Sequence, residues 1–466
     1  MQRAKCTIRG GRDGSALVLS IMFIAIFSAL AVSLASLSGA NLQVAENHAK
    51  AGTTRACADS GLEVVRYWMS QVAISGTTDD DDRFSAIATS LQEALADAGV
   101  TNFQTVATAS TIAISEISLD SARDESFSAT LSKISNDLIQ LDVTGHHGPV
   151  ERTIRTHYVF GQRANTVFDF GVASKGPVSL TGNVELEGVT IDVESNAYIE
   201  SENTLLALSI TGNSHIAGQV KIVNPLAYVD LQGGKAGIGG VTGEAATQPP
   251  YTTIGADPAE FPEMVPSYFT GLVSLTTIDP NTDTTADATF ENIIIPANMN
   301  PTFSGHATLK GLVWVETPNV VTFTGGADVT AIIVGDGDPT DDSATNRLDF
   351  KGNVDGADIA TLPEGDTQFD GLRDSTGTFI IAPGFHVSFG GSFDALCGAI
   401  AANGVEFYGS AGGEIHGSII NYSDNPMTLN GNSDLYFNRS GIDEVPAGFV
   451  PEIILEYDGS AYCEVI

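Results

Sequence analysis

Basic residues are scarce in this chain: 21 Lys and Arg stand against 57 Asp and Glu in 466 residues, a formal net charge of −36. A surface of that sign repels polyanions and excludes nucleic acid as a partner. Cysteine is scarcer still. Cys6, Cys57, Cys397 and Cys463 are scattered, with no CxxC spacing. Neither a metal site nor a redox motif follows from them, and no cofactor is expected. In an oxidising compartment Cys397 with Cys463 would form one disulfide, tying the C-terminus onto the preceding domain. The sequence also lacks G-x-S-x-G, HExxH and phosphate-loop motifs, so the expectation is a non-catalytic protein.

What is present begins with an apolar stretch from Gly14 to Ala45 that carries no charge between Asp13 and Glu46. As a helix, its most apolar part, Ser15 to Ser38, would be about 36 Å long, enough to cross a hydrocarbon core of roughly 30 Å. The anchor residues are Ala16, Leu17, Leu19, Ile21, Phe23, Ile26, Phe27 and Leu30. Arg3, Lys5, Arg9 and Arg12 precede them against one acid, Asp13, and a basic flank marks the cytoplasmic side. The expectation is a single-pass membrane protein with a cytoplasmic N-terminus and its bulk exported to the periplasm or cell surface. A cleaved secretory signal is the competing reading, with small residues at Ala35, Ser36, Ser38, Gly39 and Ala40, although its apolar region is usually shorter, roughly 7 to 15 residues. Without residues 1–14 the balance is 17 bases against 56 acids.

Helical spacing continues past the span, with Leu62, Val65, Met69 and Val72 three and four residues apart. After a solvated acidic run, Asp79 to Asp82, a second amphipathic helix covers Phe84 to Ala98 and ends at Gly99. Strand patterns follow near residues 115 and 130, and then a hairpin around Gly145-His146-His147-Gly148-Pro149. His146 and His147 read as exposed polar residues at its tip, not as ligands. The expected organisation is a leader (1–14), a transmembrane and continuing helix (15–75) and a small α+β region (76–163). A repeat domain (164–450) and a C-terminal tail (451–466) complete it.

Beyond Asn165 only eight bases appear in some 300 residues, and the text repeats. The unit is an apolar residue, any residue, then Gly, with a second small residue six to eight positions on. Its apolar members are Leu180, Ile210, Phe303, Phe323, Phe389, Phe407 and Leu429, with Phe350 as a degenerate copy. Neighbouring copies lie 20 (Phe303 to Phe323), 18 (Phe389 to Phe407) and 22 (Phe407 to Leu429) residues apart. Short β-branched runs such as LKGLVWV and GTFIIAP separate the glycines. The expected fold is therefore mixed: a transmembrane helix, a small α+β region, then a mostly-β right-handed parallel β-helix whose coils share one core. A β-sandwich is the alternative. Ile216, Leu309, Ile332, Ile400 and Ile415 are the expected inward residues. A proline-rich insertion, Gln248 to Pro266, is either a loop draped over the repeats or a lateral binding surface, and Tyr251 and Phe261 favour packing over free movement.

The segment from Arg9 to Trp68, with Ala56-Cys57-Ala58-Asp59-Ser60-Gly61-Leu62-Glu63 late in it, resembles the N-terminal region of PilX-type minor type IV pilins and of minor pseudopilins of type II secretion. The resemblance implies a leader ending in Gly, a prepilin peptidase cut between Gly14 and Ser15, and a membrane helix that meets other pilin-like subunits and their assembly machinery. Major pilins carry a glutamate at the fifth mature position, which pairs with a neighbour's N-terminal amine. This chain has Leu19 there, and an unpaired charge in lipid is costly. That departure points to an initiating or tip subunit. The expected function is a minor or tip component of a pilus-like or secretion filament, an adhesion protein with a surface or glycan ligand.

The alternative is a β-helix enzyme acting on extracellular polysaccharide, with Asp355, Asp358, Asp366 and Asp370 as carboxylates. His215, His306, His386 and His416 do not share one register of the repeat and read as isolated polar residues. The loop Asp336 to Asp342, DGDPTDD, is read as a solvated acidic loop against a calcium site, because it lacks the glycine and distal glutamate of the twelve-residue calcium loop.

Overall fold

The computed structural model describes residues 13–97, 105–108, 110–341, 344–439 and 445–465. Most of the expected leader (1–12), Cys6, the helix end at Ala98 and Gly99, and Asp342 lie outside them. Behind a long apolar N-terminal helix the chain is mostly β, with extensive parallel sheets. It divides into two compact units, and the second, Gln162–Ile453 with Ser75–Thr77, is inserted in the chain of the first.

In the first unit, helix α1 (Asp13–Met69) runs without interruption for 57 residues. Its two halves differ in chemistry. From Ala16 to Ala49 every side chain is exposed, whereas Thr54, Cys57, Ala58, Leu62, Val65, Trp68 and Met69 are buried at helical spacing. This second half packs on strands Glu125–Lys133 and Leu138–His147. The approach is close enough to need glycine twice. A Cβ on Gly61 would meet the Phe127 ring at 2.5 Å, and one on Gly145 would meet the Thr54 carbonyl oxygen at 2.3 Å. Helix α2 (Arg83–Asp97) buries Phe84, Ile87, Ala88, Leu91 and Leu95, the stripe its sequence predicts.

The sheet of this unit has seven strands in the order Ala73–Ser75, Glu452–Val465, Val150–Arg163, Leu138–His147, Glu125–Lys133, Thr111–Asp120 and Thr105–Ala107. Those from Thr105 to Arg163 pair antiparallel. Residues 451–466, expected as a tail, instead supply the 14-residue strand Glu452–Val465 beside Val150–Arg163. Alternation in EIILEY is short and its partner lies some 300 positions earlier, so local pattern alone did not reveal the pairing.

In the second unit the chain visits three parallel sheets in turn. The first circuit is Val172–Ser174, Val178–Gly182 and Glu185–Gly188; the next is Ala197–Ile199, Leu206–Gly212 and His215–Ile216. After a third circuit the chain reaches Thr252–Ile254 at one end of the first parallel sheet, and resumes at Thr276–Thr277 at the other end. Eleven strands lie along that path, a span of about 48 Å at the usual ~4.8 Å per strand. Residues 255–275, extended, reach up to ~70 Å, enough to make the crossing. From the far end the circuits build back until the last stacks on the first, with Ile419 opposite Val172, Met427 opposite Val178 and Asp434 opposite Glu185. The two ends of the unit are also tied by Arg163 and Glu452, 2.8 Å apart.

The repeat has a simple physical meaning. All eight apolar repeat residues occupy one register position of the second parallel sheet, in the spatial order Ile210, Leu180, Leu429, Phe407, Phe389, Phe350, Phe323, Phe303. The five phenylalanines stack with centroids 4.8–5.2 Å apart and planes within 14° of parallel. Ile216, Leu309, Ile400 and Ile415 join the same interior. Ile332 is a correction: it is buried, but in a second cluster with Phe269, Leu312 and Phe369, while its neighbour Ile333 points inward. That strand is apolar on both faces, so alternation carried no information about which face is which. The second cluster includes Phe261 of the proline-rich insertion, which lies against Tyr198 and Tyr422; Tyr251 packs on the inner core.

Candidate functional site

The anchor residues Ala16, Leu17, Leu19, Ile21, Phe23, Ile26, Phe27 and Leu30 are all exposed along one continuous helix. Among the described residues this is the one helix long and apolar enough to cross a membrane, which makes it a candidate span. Exposing so many large apolar side chains to water is unfavourable by roughly 1.5–3 kcal/mol each, so the surface calls for lipid or protein around it. Gly14 and Ser15 belong to the helix backbone at its start.

A groove of the second unit, about 490 Å³, is lined by His306, Asp328, Asn353, Asp355, Ser392 and Asp394 among others. Asp328 and Asp355 are register partners on adjacent strands, and Val354 bridges Phe393, which brings Asp394 to the next rung. His306 Nε2 lies 3.0 Å from Asp328, and hydrogen bonding to that carboxylate holds its pKa above the ordinary histidine value.

Of the four carboxylates singled out in the sequence, Asp355 alone lines this groove. Asp358 and Asp366 cap the short helical turns Ile359–Thr361 and Thr367–Phe369 by accepting from the backbone N–H of Ala360 and Gln368. Asp370 pairs with Arg373. These three hold the outer layer in place, which is what aspartate does best at a turn.

The structure also brings together residues that the sequence kept apart. Cys397 and His416 are register partners, with Sγ 4.0 Å from Nδ1, and His416 Nε2 lies 2.7 Å from Glu414. Thiol, imidazole and carboxylate in that order are the parts of a nucleophilic triad. The thiol is nevertheless not activated: burial, reinforced by Asp358, Glu414 and Asp355, pushes its pKa up to about 11. The expected Cys397–Cys463 bridge is not formed; Cys57, Cys397 and Cys463 are all free thiols. Cys397 sits inside the second unit, held by Gly356 and His416, while Cys463 belongs to the last strand of the first.

His386 is partly buried, and burial, reinforced by Arg347, lowers its pKa below the ordinary histidine value. His146 and His147 are strand residues, with His146 3.1 Å from Ser128 Oγ, not a free tip. In the loop from Asp336, Asp341 accepts from the N–H of Asp338, and Asp338 from that of Thr340, so the acids close the turn on itself.

No family model matches this chain, and no curated protein matches it. Among solved structures it is similar to the competence-associated pilin ComZ from Thermus thermophilus, at 12% identity over 89% of this chain and 97% of that one, with a TM-score of 0.25. A likeness of that size carries no functional weight, and the function is inferred from the residues of the chain itself.

Proposed function

We propose that the chain is a non-catalytic, membrane-anchored, pilin-like surface protein, a minor or tip subunit of a type IV pilus-like or secretion filament. In this reading the three-sheet circuits form a parallel β-helix that serves as an adhesion module. The observation that carries it is the single helix α1, whose first half is apolar and exposed while its second half packs on an antiparallel sheet. A helix of that kind serves lipid and neighbouring subunits with one end and its own domain with the other. The N-terminus is then cytoplasmic, the two folded units are exported, and the partners are other pilin-like subunits. Leu19 leaves the helix without the charge that would dock it beneath an earlier subunit, which favours a tip position.

The test is to express the full chain with a prepilin peptidase and sequence the mature N-terminus. A new N-terminus at Ser15 supports the reading. A cut between Ala35 and Ala40, or no cut, removes it.

A second reading has its own observation, the convergence of Asp328, Asp355 and Asp394 on one groove. Paired carboxylates about one strand spacing apart are the elements of glycoside hydrolysis. A depolymerisation screen on extracellular glycans, with turnover abolished in Asp355→Asn and kept in Asp358→Asn, would move the function to this groove.

A further inference from the structure

Glu185 and Glu187 lie two apart on one strand and so share a face, and His215 of the next circuit is the register partner of Glu185. His215 Nε2 is 3.2 Å from a Glu187 carboxylate oxygen, and one ligand atom from each of the three residues lies within 4.8 Å of the other two. We propose that Glu185, Glu187 and His215 bind a first-row divalent cation of the zinc class, clamping the first circuit to the second.

The surroundings support this independently. On its other side Glu185 faces Asp434, whose Oδ1 is buried and has no hydrogen-bond partner among the described residues. Two carboxylates directly opposite one another on adjacent strands repel. Lys235 lines the same groove, of about 360 Å³, together with Asn183 and Asn213, yet forms no ion pair with any of the three ligands. Among the described residues the one compensating contact is the single proton that His215 and Glu187 share when the ring donates. A divalent cation taken at Nε2, with the ring proton carried on Nδ1, brings two positive charges to the carboxylates in place of that hydrogen bond and draws all three ligand atoms to one centre.

Donor type selects the ion. One imidazole nitrogen with two carboxylates suits zinc and its first-row neighbours, whereas calcium takes six to eight oxygen ligands. Three protein ligands leave room for water. The location has a structural use, because the third parallel sheet is thin between the first two circuits: from the second circuit, His215 and Ile216 alone pair with the strand of Glu185. A cation bound by the folded state alone stabilises that state in proportion to the logarithm of its concentration.

The experiment uses the full chain in detergent, stripped with a chelator and titrated with zinc by calorimetry, with calcium in parallel. The wild type is expected to take up zinc at this site and to melt at a higher temperature with it. Glu185→Gln and His215→Gln, with unchanged circular dichroism, are each expected to remove one equivalent or weaken it at least about 100-fold, since loss of mere supporting groups already costs 10–100-fold. No zinc uptake, full binding in both variants, or a preference for calcium would each overturn the proposal. Should the variants not fold, cobalt spectra of the wild type decide. Nitrogen–oxygen bands alone support the site, and a thiolate charge-transfer band assigns the metal to cysteine and overturns it.

Discussion

Gly182 and Gly431 meet where the last circuit of the second unit stacks on the first: a Cβ on Gly182 would stand 2.4 Å from the Gly431 carbonyl oxygen. Gly182 also has φ +112°, a conformation that side-chain-bearing residues rarely adopt. The contact repeats along the stack, as Gly212 meets Gly182 and Gly233 meets Gly212 in the same way. Gly182→Ala is therefore expected to cost at least about 1–3 kcal/mol in strain, before any clash. Gly365→Ala is the control, being exposed, free of neighbours and without a positive φ, and should stay within about 0.5 kcal/mol. Equal denaturation midpoints for the two variants would mean that the junction does not close as described.

The phenylalanine stack gives a second outcome. Phe350 is fully buried between Phe323 at 4.9 Å and Phe389 at 5.0 Å, both nearly parallel to it. Removing the ring opens a void in the middle of the ladder, where neighbours above and below are held by their own backbone pairing. Phe350→Ala should cost about 3–5 kcal/mol, measured by chemical denaturation of the full chain in detergent. A loss below about 1 kcal/mol would show that the stack relaxes freely.

How much of this was legible in the sequence differs by level. The glycine-anchored unit was readable because each copy obeys the same local constraint: an inward apolar residue, then a glycine against the carbonyl of the circuit beside it. The order of the stack was not readable. Val172 pairs with Ile419 because the chain crosses to the far end and builds back, and every circuit offers its neighbours the same pattern, so nothing local says which neighbour it takes. The juxtapositions of Glu185 with His215 and of Cys397 with His416 inherit that limitation, since each is created by register between circuits. The exposed half of α1 was fully legible, as composition alone specifies it.

The cysteines offer a chemical check on register. Cys397, with its pKa pushed up to about 11, has roughly one thiol in a thousand ionised at pH 8, and the thiolate is the reactive form. Alkylation under native conditions is expected to modify exposed Cys463 first, with the rate at Cys397 still rising toward pH 10. Mass spectrometry of the labelled peptides distinguishes the sites. A Cys397–Cys463 disulfide would instead leave both unlabelled until reductant is added.

Glu200 gives the chain a pH dependence of definite sign. Burial, reinforced by Glu202 and Asp424 and opposed by Lys175, raises its pKa from 4.5 to about 7. The folded state then binds more protons than the unfolded chain between those values, so stability falls as pH rises through the window. The contribution is fully present below pH 4.5 and gone above about 7. The chain's net charge of −36 pushes in the same direction through general repulsion, so the wild-type curve alone cannot isolate the residue. Glu200→Gln can. It keeps the shape and never ionises, so its denaturation midpoint should stand above that of the wild type at pH 7.5, with the gap closing as the pH falls toward 4.5. Parallel midpoints for the two proteins across that range would mean that Glu200 titrates in the fold as it does in the open chain.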